Sequence, residues 1–314
     1  MIDKFIKETL NSNYFKVDVD NNCKAGHGHT LSVKIVMPCY CQAHCPFCFN
    51  NQTINTQMHN WDEFMINLDN SLNTLFSTIN NRRISLDITG NEPTFNVDQF
   101  VGLMQILSLY KSMYASKIDK IVMTTNGFHL YECINSMEGV IDIVNISLHH
   151  YDYKQRREIF GTKYIPSNED LKSIIQKLNQ KNITVTSVAV IYDNVYMQKF
   201  VPTFAKFSKE MGFKDARIRI NFTTHNPLIR NKFYEKITDD EKIIEQGGLS
   251  TKYLTINDYN VNIYLGVTDL IDYVIGVELV IDDNGILYID YNKRYKVEKE
   301  ILKEFDNNIY IIKK

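Results

Sequence analysis

Long apolar runs are missing from this 314-residue sequence. No window of about 18 residues is apolar and free of charge, so no transmembrane helix is expected. The first fifteen residues, MIDKFIKETLNSNYF, lack the continuous apolar stretch of a secretory signal, and a cytoplasmic location with no membrane partner is expected. Charge of one sign is not in excess. Lys and Arg number 35 and Asp and Glu 37, a formal charge of −2, so the balance gives no support to bulk nucleic-acid binding. Glycine (13) and proline (6) are scarce, and no low-complexity linker or internal repeat is visible. Cysteine is limited to positions 23, 39, 41, 45, 48 and 133, and four of the six fall within ten residues. That crowding excludes a disulfide framework and points to metal or cluster ligation. What is present is ordinary: 44% hydrophobic and 23% charged residues, enough for a sizeable core and too apolar for a disordered chain.

The order of patterned segments predicts an α/β fold. LSVKIVM, Leu31–Met37, is rich in β-formers and stops at Pro38. Asp62–Asn80 has helical spacing of Phe64, Leu68, Leu72 and Leu75. Strands follow at Ile84–Thr89, Ile121–Thr125, Val144–Leu148, Thr184–Ile191 and Arg217–Phe222, with helices at Asp98–Tyr114, Ser167–Lys181 and Met197–Met211. Ser167 with Asp170 has the spacing of a capping box. Six strands alternating mostly with helices require parallel strands and right-handed crossovers, and the strands' Val, Ile and Leu content suggests burial on both faces. A partial (β/α)6 barrel over residues 31–222 is the natural closure. Residues 1–30 form a polar head. Past residue 223 the alternation breaks into an α+β extension that runs to residue 314 and is expected to cover the barrel. Asp239–Glu245 reads as helical, Lys252–Gly266 and Val277–Tyr291 as antiparallel strands, with a hairpin turn at Asp283-Asn284-Gly285.

The strongest chemical signal is Cys41-x-x-x-Cys45-x-x-Cys48 in PCYCQAHCPFCFN, directly after the first barrel strand. It lies at that strand's C-terminal end, the face that holds the active site in β/α barrels. Three thiolates on one short loop suit three corners of a cubane iron–sulfur cluster, with the fourth iron open to a non-protein ligand. A zinc site with Cys39 as fourth ligand is the rival, but structural zinc sites usually join two well-separated halves, and no second half is present.

With these residues the sequence resembles the radical S-adenosylmethionine (SAM) superfamily. Phe47 precedes the last cysteine, as is usual there. The turn Gly90-Asn91-Glu92-Pro93 matches a GGEP-like motif, with Asn91 in place of the second glycine. Thr124-Thr125-Asn126-Gly127 and Asn145-Ile146-Ser147-Leu148 match two further strand ends, in the superfamily's order. The layout is similar to the radical SAM core of molybdenum-cofactor-biosynthesis enzymes, a partial TIM-like barrel. The resemblance implies one 4Fe-4S cluster held by Cys41, Cys45 and Cys48, and SAM as second cofactor. It implies reductive cleavage of SAM to a 5′-deoxyadenosyl radical, with electrons from a flavodoxin or ferredoxin. It also implies cofactor contacts from Gly90, Asn91 and Glu92 to the methionyl amine. Thr125, Asn126 and Ser147 would serve the SAM carboxylate or ribose, and Val190 with Asn194 the adenine side. Asn at position 91 tolerates the positive φ such a turn needs.

Other residues carry weaker signals. Cys39 is an alternative ligand or a half-buried strand-end thiol; Cys133 reads as packing or surface, and Cys23 has no context. His149 and His150 follow the Ser147 strand, either as site groups or as a capped loop pair. Arg156-Arg157 could hold an anion or line a solvated helix face. Arg217, Arg219 and Asn221 alternate along one strand, as a polar barrel interior would require. His27-x-His29 lacks a third ligand, and His225 would lie where the extension meets the barrel mouth. A small-molecule or nucleotide-like substrate is the first expectation. A ribosomally made peptide or a tRNA is the second, although the head is too short for a leader-binding domain and no basic patch is visible. A non-catalytic iron–sulfur or zinc protein is the reading from another class.

Overall fold

Every second residue of the first barrel strand faces a helix layer. Leu31, Val33 and Ile35 are fully buried, whereas Ser32 and Lys34 between them are only half-buried. This period of two is the signature of a sheet with one dry face and one open face. It recurs at the other edge of the barrel, where Ala216, Ile218 and Ile220 are buried and Arg217 and Arg219 are not. Burial on both faces, expected from composition, holds for the central strands, where Ile84–Leu86, Ile121–Met123, Val144–Ile146 and Val185–Ser187 are buried without a break, and fails at the two edges. The helix-facing side is apolar throughout, and the concave side mixes polar and apolar residues.

The structure, a computed structural model, describes residues 13–18, 30–48, 60–191, 197–220, 243–247, 251–265, 273–275, 278–289 and 296–313. The core elements are β2 (Thr30–Val36), α1 (Trp61–Thr78), β3 (Arg83–Thr89), α2 (Val97–Met113), β4 (Ile118–Thr125), α3 (Leu130–Met137) and β5 (Ile143–Ser147). There follow α4 (Tyr153–Phe160), α5 (Asn168–Gln180), β6 (Thr184–Ile191), α6 (Met197–Met211) and β7 (Asp215–Ile220). A strand β1 (Asn13–Asp18) precedes them. β8 (Ile243–Gly247), β9 (Thr251–Ile256), β10 (Tyr259–Leu265), β11 (Tyr273–Ile275), β12 (Glu278–Ile281), β13 (Leu287–Tyr288), α7 (Lys299–Asn307) and β14 (Asn308–Lys313) follow.

The main sheet has the order β13-β12-β2-β3-β4-β5-β6-β7-β10-β9-β8, and all pairs from β12 to β10 are parallel. It is an open, partial TIM-like barrel. The C-terminal strands lengthen both edges: β12 pairs with β2, and β10 with β7. β1, β14 and β11 form a separate antiparallel sheet. Ile243–Glu245, expected to be helical, is strand instead; β8 pairs antiparallel with β9, whose free edge offers hydrogen bonds that a short isolated helix would lack.

Caps explain where the helices begin. Asn60, Asn96, Asp152 and Ser167 each accept a backbone N–H with the side chain, and Ser167 with Asp170 completes the capping box. α1 buries Phe64, Leu68, Leu72 and Leu75, as its spacing predicts. The C-terminal turn docks on that helix. Asn67 Nδ2 donates to Asn284 O at 3.0 Å and Ser71 Oγ to Gly285 O at 2.7 Å. Leu279, Ile281, Leu302 and Phe305 join the same core cluster as the barrel residues. Among the described residues no helix is long and apolar enough to cross a membrane. Cys23, His27, His29, Asn194, Asn221 and His225 lie outside the described residues.

Candidate active site

Pro38 ends β2, and the chain turns at once into the cysteine loop. Cys41, Cys45 and Cys48 are half-buried there, and the Cys48 N–H donates to Cys45 O at 3.0 Å in a tight turn. Burial pushes the Cys41 and Cys45 thiols up to about 12, with repulsion among the three sulfurs adding to it. Both are therefore protonated at neutral pH in the protein alone, and the thiolates form only against a bound cation. Among the described residues no three His, Cys, Asp or Glu side chains converge to hold a single metal ion. Three half-buried thiols on one short loop, near enough to raise one another's pKa, are a donor set that a metal cluster held by three cysteines would need.

A closed ring of hydrogen bonds ties this loop to the ends of β3 and β4. Cys39 Sγ donates to Glu92 O at 3.0 Å. The Glu92 carboxylate accepts from Asn126 N at 2.7 Å, and Asn126 Nδ2 donates to Cys41 Sγ at 3.5 Å. Cys39 is thus held by its own partner, in the strand-end role, and burial raises its thiol's pKa further. Ala43 N–H also donates to Cys41 Sγ, at 3.4 Å. Such donors to a ligating sulfur are a lever on cluster potential.

Glu92 is 1% exposed, and its carboxyl group points into the protein. Oε1 meets Thr94 N (3.2 Å), Thr94 Oγ1 (2.7 Å) and Thr125 Oγ1 (2.5 Å). Burial holds the group above the usual carboxylate range, against the pull of these hydrogen bonds. The Thr94 hydroxyl also contacts the Phe128 carbonyl and has one proton to give. If that proton goes to Phe128, a protonated Glu92 supplies the other bond, and this is the form that burial favours. The side chains of Glu92 and Thr125, expected to face cofactor, are thus engaged with each other. Thr125 Oγ1 additionally accepts from Gly127 N at 2.9 Å.

The turn before Glu92 has positive φ at Gly90 (+75°) and Asn91 (+33°). A Cβ at Gly90 would lie 2.5 Å from Val36 Cγ1, so only glycine lets the turn approach the end of β2. Asn91 adopts the conformation expected of it and donates weakly to Met37 O at 3.4 Å. Ser147, at the end of β5, is half-buried, and its side chain has no hydrogen-bond partner among the described residues. Val190 N–H donates to His149 Nδ1 at 3.1 Å.

His149 is a site-wall residue that its sequence position left open. It is 7% exposed with φ +61°, and its ring packs on Phe47 of the cysteine loop at 4.7 Å and on Phe160 at 5.0 Å. Burial drives its pKa down to about 3, so the ring is neutral. With Nδ1 accepting from Val190, the network assigns the proton to Nε2. His150 takes the capped-loop role, its Nδ1 accepting from Asp152 N at 2.9 Å. Arg156 is not on a solvated face. It is 1% exposed, donates to Asn168 Oδ1 at 2.6 Å and stacks near Tyr153 and Phe207. Cys133 is buried in α3. The sequence reading missed Gln42, which donates to Asn126 Oδ1 (2.9 Å) and Tyr164 O (3.1 Å). It also missed Thr94; only its position beside Pro93 could have flagged it.

Comparison with known proteins agrees with this geometry. SuiB from Streptococcus suis superposes with a TM-score of 0.57 and 16% identity, covering 88% of this chain and 66% of SuiB. SuiB bound to S-adenosylmethionine gives 0.53 and 17%, covering 84% of this chain and 61% of that one. Native anSMEcpe with bound AdoMet gives 0.56 and 14%, covering 88% and 80%. The chain thus spans slightly less than two thirds of the SuiB chains. No curated protein matches the sequence. The radical SAM superfamily pattern matches residues 35–207, more than half of the chain, and runs from the strand before the cysteine loop through α6. With the three-cysteine loop and the strand ends bonded to it inside that stretch, the chain belongs to the radical SAM superfamily.

Proposed function

We propose that Cys41, Cys45 and Cys48 hold one 4Fe-4S cluster and that SAM binds beside it, against the Gly90–Asn91 turn, Asn126, Ser147 and the Val190 strand end. When bound, the pair supplies a 5′-deoxyadenosyl radical that abstracts hydrogen from substrate. The observation that carries the reading is the ring Cys39–Glu92–Asn126–Cys41, which makes the cysteine loop and both neighbouring strand ends one rigid unit.

The chain's own residues bind, orient and shield. Asn126 and the Ala43 N–H polarise the Cys41 sulfur. Glu92 positions the turn and the β4 end through its carboxyl group, while the turn's backbone serves the methionyl amine. His149 presents a neutral N–H beside Phe47 and, with Phe160, keeps water from that side of the loop. A flavodoxin or ferredoxin supplies the electron. The substrate is a small or nucleotide-like molecule. SuiB and anSMEcpe have each been solved with a peptide, but at 12–17% identity they share the fold alone. Anaerobic reconstitution tests the cluster. The chain should bind about four irons and four sulfides, lose them in Cys41→Ala, Cys45→Ala or Cys48→Ala, and keep them in Cys39→Ala. Full iron content in Cys41→Ala would overturn the ligand set. Stimulation of SAM cleavage by a peptide but by no small molecule would overturn the substrate class.

A further inference from the structure

The concave face of the sheet carries most of the structure's orphaned polar groups. Buried side-chain atoms with no partner include Asp87 Oδ1 on β3, Asn145 Oδ1 on β5, Thr186 Oγ1 on β6, and Asp215 Oδ1 and Arg217 Nε on β7. All sit at positions that alternate with helix-facing residues such as Leu86, Val144, Val185 and Ala216, so all share the barrel interior. Cross-strand register makes them neighbours: Asn145 pairs with Thr186, and Thr186 with Asp215. A native structure rarely keeps several such atoms on one face without a partner.

Charge on this face is unevenly satisfied. Lys34 and Asp87 form an ion pair at 3.0 Å across β2 and β3. Arg217 and Arg219 on β7 have no ion pair or hydrogen bond among the described residues, and no ion pair joins Asp215 to either. The two guanidinium groups thus outnumber the one local carboxylate. Their forked N–H donors match the planar oxygens of a carboxylate or phosphate.

We propose that Arg217 and Arg219 recognise the carboxylate or phosphate group of a small polar substrate held on the concave face. The orphaned atoms at Asn145 and Thr186 receive the molecule's neutral hydrogen-bonding groups. This inference rests on the radical SAM reading and names its substrate class. Arg219 pairs in register with Val190 at the end of β6, so the anion site borders the place proposed for SAM.

The test uses the full-length, anaerobically reconstituted protein with SAM, titrated calorimetrically with inorganic phosphate and separately with succinate. Saturable binding of one of them is expected, and the preferred anion identifies the group. Arg217→Gln and Arg219→Gln should each weaken that binding about ten- to a hundredfold, while SAM affinity stays within about twofold. Thr186→Val provides a readout independent of any ligand. If its hydroxyl waits for substrate, the variant should unfold at an unchanged or slightly higher temperature. No binding of either anion to the wild type would overturn the proposal. So would an equal loss of SAM affinity in the arginine variants, which would assign them to the cofactor, or a Thr186→Val variant less stable by several degrees. Anion binding as predicted in a protein that binds no SAM would instead sink the functional reading and leave the anion site standing.

Discussion

At Glu92 the carboxyl group gives up hydration for contacts with Thr94, Thr125 and Asn126. Replacement by alanine strands the backbone N–H groups of Thr94 and Asn126 and the Thr125 hydroxyl, so Glu92→Ala should destabilise the fold by about 2–4 kcal/mol in a urea titration and also weaken SAM binding. Glu92→Gln keeps one acceptor but must aim its NH2 at the N–H of Thr94 or of Asn126, which bond different carboxyl oxygens, so it should cost about 1–2 kcal/mol, less than alanine. An equal loss for both would show that the carboxylate charge is required. His149 makes a separate pH prediction. Its native pKa is lowered to about 3 from 6.5, so the unfolded chain takes up a proton between those values that the native chain does not. Native stability therefore falls with pH in that window, by up to ~1.4 kcal/mol per unit, and His149 contributes no such slope above it. His149→Asn, which tolerates the positive φ, should flatten the acid limb between pH 6.5 and 4; parallel limbs would contradict the buried neutral ring. The inward turn of the Glu92 and Thr125 side chains was not legible in the sequence. Both sit at motif positions, and only the burial of one against the other decides which way they face.

Among the elements, β2 to β7 and the long helices were readable because each carries a full period of apolar residues and, for α1, α2 and α5, a capping side chain. α3 and α4 were not. Each is eight residues long, and α4 buries only Arg156 and Phe160. The β8 segment read as helix because an edge strand's pairing depends on a neighbour, here β9, that local pattern does not reveal. The edge pairing of β12 with β2 was hidden for the same reason, although the hairpin turn beside it was plain. That turn yields a sharp prediction. Gly285 has φ +78°, and a Cβ there would lie 2.5 Å from Phe64 O and 2.7 Å from Leu68 N. Both obstacles are backbone, so Gly285→Ala should push the hairpin off α1 and lower stability by about 2–3 kcal/mol. A thermal unfolding curve unchanged from wild type would mean the turn does not dock as described.

At the scale of the whole molecule, the C-terminal strands β8, β9, β10, β12 and β13 are continuous with the barrel sheet. β12 covers the outer edge of β2, and α7 answers the start of β3: Asp306 accepts from Asn80 N (2.9 Å) and Asn81 N (2.8 Å), and Arg82 donates to Phe305 O (3.0 Å). Truncation near residue 230 should therefore expose the β2 edge and the apolar face of α1, leaving aggregating protein. A soluble, cooperatively folding fragment would show that the extension is independent. The account's central claim is that the cysteine loop and the strand ends bonded to it form a site for SAM cleavage. The most direct measurement is 5′-deoxyadenosine release after anaerobic reconstitution and chemical reduction of the full chain with SAM. The account predicts release that disappears in Cys41→Ala, Cys45→Ala and Cys48→Ala and persists in Cys39→Ala. Iron-replete, reduced protein that binds SAM and releases no 5′-deoxyadenosine would contradict it.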